Sequence, residues 1–363
     1  MAGCGTMRVL AHAVQGFRNL REFTFIPAEG VNLICGANGE GKTNLAESLW
    51  LMTGCQSFRT TRLRQLITHG GNFARIDSRI FAGEREQTIR VEIDSRRTAQ
   101  LNSVMLTSPH ALLGTFPSVF FSPDTLALVC EGAQHRRRFL DIAISLQKPV
   151  YASSLSKYCK VLVQRNALLR MGCADADALE TWDYQLARHG ARLVSERRTY
   201  TEKLSALCAE IYANLSGGAE KLRLDYSPCV PEEDNIADNI LQILQKSASQ
   251  DARWQYTTVG VHKEDFSLRL DGREARIYGS RGQVRCCALA LKIAEATLLR
   301  DCLDEAPVVI LDDVMSELDA GRQAALLEYL RDWQAFVTCC EVPTVFSNTA
   351  AMLFHMCGGE LMA

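Results

Sequence analysis

Lys42 and Thr43 close the octapeptide Gly36-Ala37-Asn38-Gly39-Glu40-Gly41-Lys42-Thr43, which fits the pattern G-x-x-x-x-G-K-[ST]. Apolar Val31-Asn32-Leu33-Ile34-Cys35 precedes it, and a helical run over 44–52 follows. Glycines at these positions let successive backbone N–H groups turn inward around an anion, and the helix start adds partial positive charge at the same point. Lys42 is then placed to reach the outer phosphates of a nucleotide, and the Thr43 hydroxyl to ligate Mg²⁺. An incidental lysine in a glycine-rich turn would need neither the strand before it nor the helix after it. The context therefore favours a phosphate cradle.

A second set of groups lies far downstream. Pro307-Val308-Val309-Ile310-Leu311-Asp312-Asp313 is an apolar run ending in two acids, the pattern of a buried parallel strand delivering carboxylates to a sheet's C-terminal edge. Asp312 is the candidate for the Mg²⁺ side, holding the metal directly or through water. Asp313 could polarise an attacking water. A strand followed by a polar turn is the plainer account of the same string, and the upstream cradle tips it toward chemistry. Shortly before it, Tyr278-Gly279-Ser280-Arg281-Gly282-Gln283 runs into a helical stretch over 284–299. Ser280, Gly282 and Gln283 place small residues and a hydroxyl at a helix start, as either an ordinary cap or a second anion site. One chain needs one cradle for its nucleotide, so a second would serve the γ-phosphate held by another copy. Ser316-Glu317-Leu318-Asp319 then forms a polar turn ahead of a helix over 321–330, with Asp319 as a cap or a dimer contact.

These residues need a sheet to hold them. The first 125 residues alternate short β-like runs (8–14, 30–35, 74–81, 88–93, 118–121) with Gly, Asn and Pro, which predicts a mixed sheet and one main helix after Lys42. Roughly 270 residues separate Lys42 from Asp312, so a large insertion lies between them. Over 136–215 the period becomes helical: Leu155, Tyr158, Leu162 and Leu169 share one face, and Leu179, Leu186, Leu193, Tyr200 and Leu207 recur every seven residues, with Trp182, Leu204 and Ile211 nearby. Two long helices folded back on each other are expected. Arg188, Arg192, Arg197, Arg198 and Lys203 would form their solvated face, with a DNA-contacting face as the alternative. An acidic segment over 227–249, with Pro228, Pro231, Glu232, Glu233 and Asp234, reads as a linker, and β-like runs resume at 257–261 and 266–270. His135 and Arg136 to Arg138 stand at a helix start, where cations oppose the dipole, which favours a real anion partner.

With 40 Lys+Arg against 42 Asp+Glu in 363 residues, any affinity for nucleic acid must come from a local patch. Fourteen cysteines without a C-x-x-C pair read as reduced core thiols of a cytoplasmic protein. No apolar run approaches the roughly 18 residues of a membrane span, and no leader or myristoylation pattern is present, so no membrane partner is expected. Helix-turn-helix, zinc-finger and stacking-aromatic modules are absent, which argues against base-specific readout.

In their order, Gly36 to Thr43, Ser280-Arg281-Gly282-Gln283 and Leu311-Asp312-Asp313-Val314-Met315-Ser316-Glu317-Leu318-Asp319 resemble the Walker A, signature, Walker B and D-loop motifs of ABC-type ATPases. Phe17-Arg18-Asn19, Ser57-Phe58-Arg59-Thr60, Phe121-Ser122-Pro123-Asp124, Arg136-Arg137-Arg138-Phe139-Leu140-Asp141 and Gln164-Arg165-Asn166 narrow the resemblance to the RecF family of bacterial recombination mediators. That resemblance implies an α/β fold: an ABC-type ATPase head related to SMC and Rad50 heads, here 1–130 plus 251–363, with an inserted helical arm over 131–250. It implies ATP and Mg²⁺ held by Gly36, Ala37, Asn38, Gly39, Glu40, Gly41, Lys42 and Thr43, with Asp312 on the metal and Asp313 positioning water. Ser280, Gly282 and Gln283 would engage ATP of the opposite subunit in an ATP-dependent homodimer, with Asp319 at its seam. Weak DNA-stimulated hydrolysis would act as a switch on single- and double-stranded DNA at gaps and junctions. RecR, RecO and RecA would be the partners, in replication, repair and the SOS response. An ABC transporter subunit, a chromosome-organising SMC-like head and a P-loop kinase are the rivals. The insertion is long for the first and short for the second, and the third leaves Ser280 to Gln283 unexplained. One departure is local: transporters place a His after the strand following Walker B, whereas here 335–338 leads into Cys339 and Cys340, with Thr338 in that neighbourhood.

Overall fold

The computed structural model describes residues 5–172, 176–218, 220–231, 234–347 and 350–362. Glu232 and Glu233 of the acidic segment lie outside the described residues. By its contacts the chain divides into two compact units, Met1–Thr125 with Lys292–Ala363, and Leu126–Leu291. The second is wider than the 131–250 insertion read from sequence, and Ser280 to Gln283 fall within it.

The first unit contains two six-stranded sheets rather than one. In the first sheet the order is Glu360–Met362, Ala351–Cys357, Val31–Cys35, Ala335–Cys339, Val308–Asp312, Ser118–Phe121, and all neighbours are parallel except the hairpin at the Glu360–Met362 edge. Val31–Cys35, Ala335–Cys339 and Val308–Asp312 are buried at every residue, as strands covered on both faces must be. The second sheet is antiparallel, in the order Phe23–Phe25, Arg8–Gln15, Ala74–Ala82, Arg85–Ile93, Arg97–Leu101, Val104–Met105. Ile76, Ser78, Ile80, Ile89, Val91 and Ile93 turn to its buried face. The helix Lys42–Leu51 is buried along almost its whole length. It is tied to the antiparallel sheet through His12, whose Nδ1 and Nε2 lie 2.8 Å from Ser78 Oγ and Ser48 Oγ. Ser48 Oγ donates to Leu45 O, so it accepts from Nε2–H, and Ser78 donates to Nδ1. Burial pushes the His12 pKa down to about 3, keeping the ring neutral.

The second unit contains the expected helical hairpin, Pro149–Met171 and Ala176–Ser216, preceded by the helix Ala133–Gln147. Leu179, Leu186, Leu193 and Tyr200 are buried, but Leu207 is half-exposed while Leu204, Cys208 and Ile211 are buried. A straight helix drifts by about 20° per heptad, so a strict seven-residue series leaves the core after four repeats. In Pro149–Met171 the buried stripe is Tyr151, Tyr158, Val161, Arg165 and Leu169, displaced from the expected Leu155 and Leu162.

The supposed linker over 227–249 is mostly the helix Ile236–Trp254, with Ile240 and Leu244 buried, and the Pro-rich acidic run covers only its approach. Residues 257–261 form no strand: the chain there is a loop leading into the 3₁₀ turn Val261–Lys263, held by hydrogen bonds from Thr257 N and Oγ1 to Asn166 Oδ1. Arg197, assigned to the solvated face, is buried and pairs with Asp141 and Glu264 at 2.7 Å each, whereas Arg188, Arg192 and Lys203 are exposed and Arg198 is half-buried. Arg136 does have an anion partner, but it is internal: its guanidinium grips Asp265 at 2.7 and 2.8 Å. Of the twelve cysteines described, Cys35, Cys55, Cys208, Cys286, Cys287 and Cys339 are buried, while Cys130, Cys159, Cys302, Cys340 and Cys357 are exposed, so "core thiols" fits only half. Among the described residues no helix is long and apolar enough to cross a membrane.

Candidate nucleotide site

The phosphate cradle and the two acids meet at one end of the parallel sheet. Strand register puts Ile34, Thr338 and Asp312 level across three neighbouring strands, with Ala335–Cys339 interposed between the cradle strand and the acidic strand. Cys35 and Cys339 come one residue later, their sulfurs 3.1 Å apart, and each strand then turns out of the sheet.

The loop's shape depends on absent side chains. A Cβ on Gly36 would lie 2.3 Å from Met356 O of the neighbouring strand Ala351–Cys357, which is backbone and cannot swing away. Gly41, with φ of 117°, caps Lys42–Leu51, and a Cβ there would meet Leu20 Cδ2 at 2.8 Å. The N–H groups of Gly41, Lys42 and Thr43 have no acceptor among the described residues, so they form the donor end of the helix. Lys42 is buried, with Nζ donating to Gly36 O at 2.7 Å and Ala37 O at 2.9 Å and lying 3.7 Å from Cys340 Sγ. The rim is braced by Asn19 Nδ2 to Gly39 O at 2.9 Å, and by Gly358 and Gly359 N–H groups donating to the Glu40 carboxylate and Glu40 O.

Thr43 Oγ1 donates to Asp312 Oδ1 at 3.0 Å, and Thr338 Oγ1 donates to the same oxygen at 2.8 Å. Desolvation raises the Asp312 pKa, opposed by those two hydroxyls and reinforced by Asp313. Asp313 lies in the left-handed region, φ 54°, a turn that lets its N–H reach Thr338 Oγ1 at 3.0 Å. Thr338 therefore bridges both acids. Ser316 Oγ donates to Asp313 O at 2.9 Å. The donor set fits a triphosphate with a hard divalent cation: free backbone N–H groups, a buried ammonium, and a hydroxyl already against a carboxylate.

Ser280 and Gln283 belong to the other compact unit. Ser280 is exposed and forms a capping box, Gln283 Oε1 accepting from Ser280 N at 2.6 Å and Ser280 Oγ accepting from Gln283 N at 3.3 Å. Gly282 follows inside the helix Arg281–Leu303, and Gln283 Nε2 donates to Glu220 at 2.7 Å. Asp319 caps Ala320–Tyr329 by accepting from Arg322 N at 3.0 Å, a bond that lowers its pKa.

Asn44, Glu47 and Met356 belong to no motif recognisable in the sequence, and Arg18, Asn19 and Arg59 fall only within the segments that resemble the family. Glu47 is fully buried on the cradle helix and takes both Arg18 donors at 2.9 Å. Its only signal in the sequence is a carboxylate within the mostly apolar run over 45–52.

Fold and site together define an ABC-type ATPase head. A family model described as RecF/RecN/SMC N terminal domain matches residues 9–357. The DNA replication and repair protein RecF of Agathobacter rectalis is 34% identical over 355 residues, covering 96% of this chain and 97% of its own. That of Alkaliphilus oremlandii is 36% identical over 336 residues, covering 91% and 92%. A solved structure described as the recombination mediator protein RecF-ATP in the RecFOR pathway has a TM-score of 0.92 at 33% identity, covering 99% of this chain and 98% of that one. A Smc head domain from Pyrococcus furiosus, 16% identical with a TM-score of 0.56, shares the fold alone. The chain belongs to the RecF family of DNA replication and repair proteins.

Proposed function

We propose that this chain is an ATP-dependent, DNA-binding recombination mediator whose ATP-closed homodimer acts at gapped or junction DNA. The observation that supports it best is the arrangement at the sheet edge, where Thr43 and Thr338 converge on Asp312 beside a cradle of unpaired N–H groups and a buried Lys42. When bound, ATP supplies the hydrolysable anhydride and Mg²⁺ the charge that offsets its phosphates. Residues 36–43 would hold the phosphates, Lys42 would provide the cation, and Thr43 and Asp312 would hold the metal. Asp313 orients water as the catalytic carboxylate. Ser280, Gly282 and Gln283 of a second copy complete the site, with Asp319 near the seam.

With hydrolysis weak and DNA-stimulated, the nucleotide acts as a clasp: binding closes the dimer on single- or double-stranded DNA and hydrolysis reopens it. RecR and RecO are the partners through which RecA loading follows, in replication, repair and the SOS response, in the cytoplasm. The test is duplex binding by wild type and Lys42→Met at one ionic strength, with and without ATP, since phosphate contacts are salt-sensitive. Lys42→Met should lose the ATP-dependent increment. Identical binding by both proteins under both conditions would sink the clasp.

A further inference from the structure

Three thiols meet where the phosphate cradle begins. Cys35 and Cys339 end neighbouring parallel strands, level in register and both buried, with their sulfurs 3.1 Å apart. Gly36, the first cradle residue, follows Cys35, and the exposed Cys340 follows Cys339. Cys340 Sγ accepts from Lys42 Nζ at 3.7 Å and donates to Asn38 Oδ1 at 3.1 Å, so the thiol that solvent reaches touches two residues of the cradle. Phosphate, metal and water contacts fall to residues 36–43, Asp312 and Asp313, which leaves all three thiols without a task.

Geometry separates a lasting bond among them from a transient one. A disulfide joins residues whose Cα atoms lie about 4.4–6.8 Å apart. Neighbouring strands run about 4.8 Å apart, so level partners such as Cys35 and Cys339 fall inside that range. Cys339 and Cys340 share a peptide bond, and Cα atoms about 3.8 Å apart fall below it, which makes a bond between them strained and readily exchanged. Access runs the other way. The pair is shielded, whereas Cys340 is exposed beside an ammonium, where an anionic reagent arrives first.

We propose that Cys340 is a modification site for low-molecular-weight disulfides, and that the oxidation passes to Cys35 and Cys339, whose bond weakens ATP binding by the cradle. This rests on residues 36–43 being the ATP site, as proposed above. The Cys340 sulfur attacks one sulfur of the reagent, giving a mixed disulfide and one free thiol. Cys339 attacks the Cys340 sulfur and expels the reagent's other half as a second thiol. Cys35 then attacks the Cys339 sulfur and returns Cys340 to the thiol. One small disulfide is reduced to two thiols, two protein thiols become a disulfide, and each proton lost by an attacking thiol is taken up by a leaving one. The new bond draws the Cys35 and Cys339 sulfurs from 3.1 Å to about 2.05 Å. That pull acts on Gly36, where even a Cβ would lie 2.3 Å from Met356 O, and on Thr338, which donates to Asp312. ATP and the disulfide are then antagonists, and by linkage each weakens the other by the same factor.

The test equilibrates the full chain in mixtures of reduced and oxidised glutathione, with and without Mg²⁺ and ATP. Peptide mapping without reductant follows the Cys35–Cys339 link, and calorimetry reads ATP affinity. The linked protein should bind ATP at least about fivefold more weakly than the reduced one, with recovery in dithiothreitol. Saturating ATP should raise the ratio of oxidised glutathione to the square of reduced glutathione at half-linkage by that same factor. Cys340→Ser should reach the same extent of linkage at least about tenfold more slowly. Cys35→Ala should bind ATP as reduced wild type does and ignore glutathione. A link that leaves ATP affinity unchanged, a Cys340 mixed disulfide that never passes to the pair, or Cys340→Ser linking at the wild-type rate would each overturn the proposal. A reduced wild type that binds no ATP would overturn the nucleotide reading itself.

Discussion

At the scale of single residues, the site turns on Asp312, a carboxylate held by two hydroxyls inside a low-dielectric strand edge. Burial raises its pKa above the unfolded value, so the folded protein binds a proton there more readily than the unfolded chain does. Stability from this group is therefore greatest below the unfolded pKa and declines as pH rises through the folded one. Asp312→Asn keeps an oxygen to accept from Thr43 and Thr338 and removes the buried charge. The expected outcome is a higher urea midpoint than wild type at neutral pH, an advantage that fades on acidification into the ordinary carboxylate range, with ATP hydrolysis lost. A midpoint lower than wild type at neutral pH would show that the charge is compensated without metal. Thr338 makes a second case. Thr338→Val removes one of the two hydroxyl donors to Asp312 and one of the two acceptors of the Asp313 N–H, which keeps Thr338 O at 3.3 Å, at a cost of about 1–3 kcal/mol in urea unfolding.

At the scale of elements, close approach and buried charge do the positioning. Gly36→Ala would drive a Cβ into Met356 O of the adjacent strand, so the loop must shift off the sheet. ATP affinity, read by calorimetry, should fall at least about tenfold although the added group is one methyl. In the helical unit, Arg165 is fully buried between Asp183 at 2.5 Å and Asp251 at 2.7 Å and also donates to Thr257 at 2.9 Å. Arg165→Ala leaves two buried carboxylates without a cation, and desolvation already raises the Asp183 pKa. A loss of about 3–5 kcal/mol is expected in urea unfolding. These elements also show what sequence could reveal. The buried, mostly apolar strands and the hairpin of long helices follow from periodicity, because burial on both faces or on one stripe leaves a mark in residue type. The helix Ile236–Trp254 was obscured by Pro228, Pro231 and the acids before it. Arg165 and Arg197 were unreadable as core positions, since their burial depends on Asp183, Asp251, Asp141 and Glu264, which are distant in sequence. Likewise the cradle pattern names Lys42 and Thr43, but nothing local says that Met356 floors Gly36 or that Thr338 joins the two acids.

At the scale of the whole molecule, one chain carries a cradle with its acids in one compact unit and the Ser280–Gln283 helix start in the other. The claim that these are halves of a composite site between two copies is central, and Asp313→Asn tests it by allowing ATP to bind while hydrolysis is blocked. Light scattering with Mg²⁺ and ATP should give a mass twice the 40.3 kDa of the chain, falling back to the monomer value when Ser280→Arg is added. A protein that binds ATP and stays at 40.3 kDa would contradict the account.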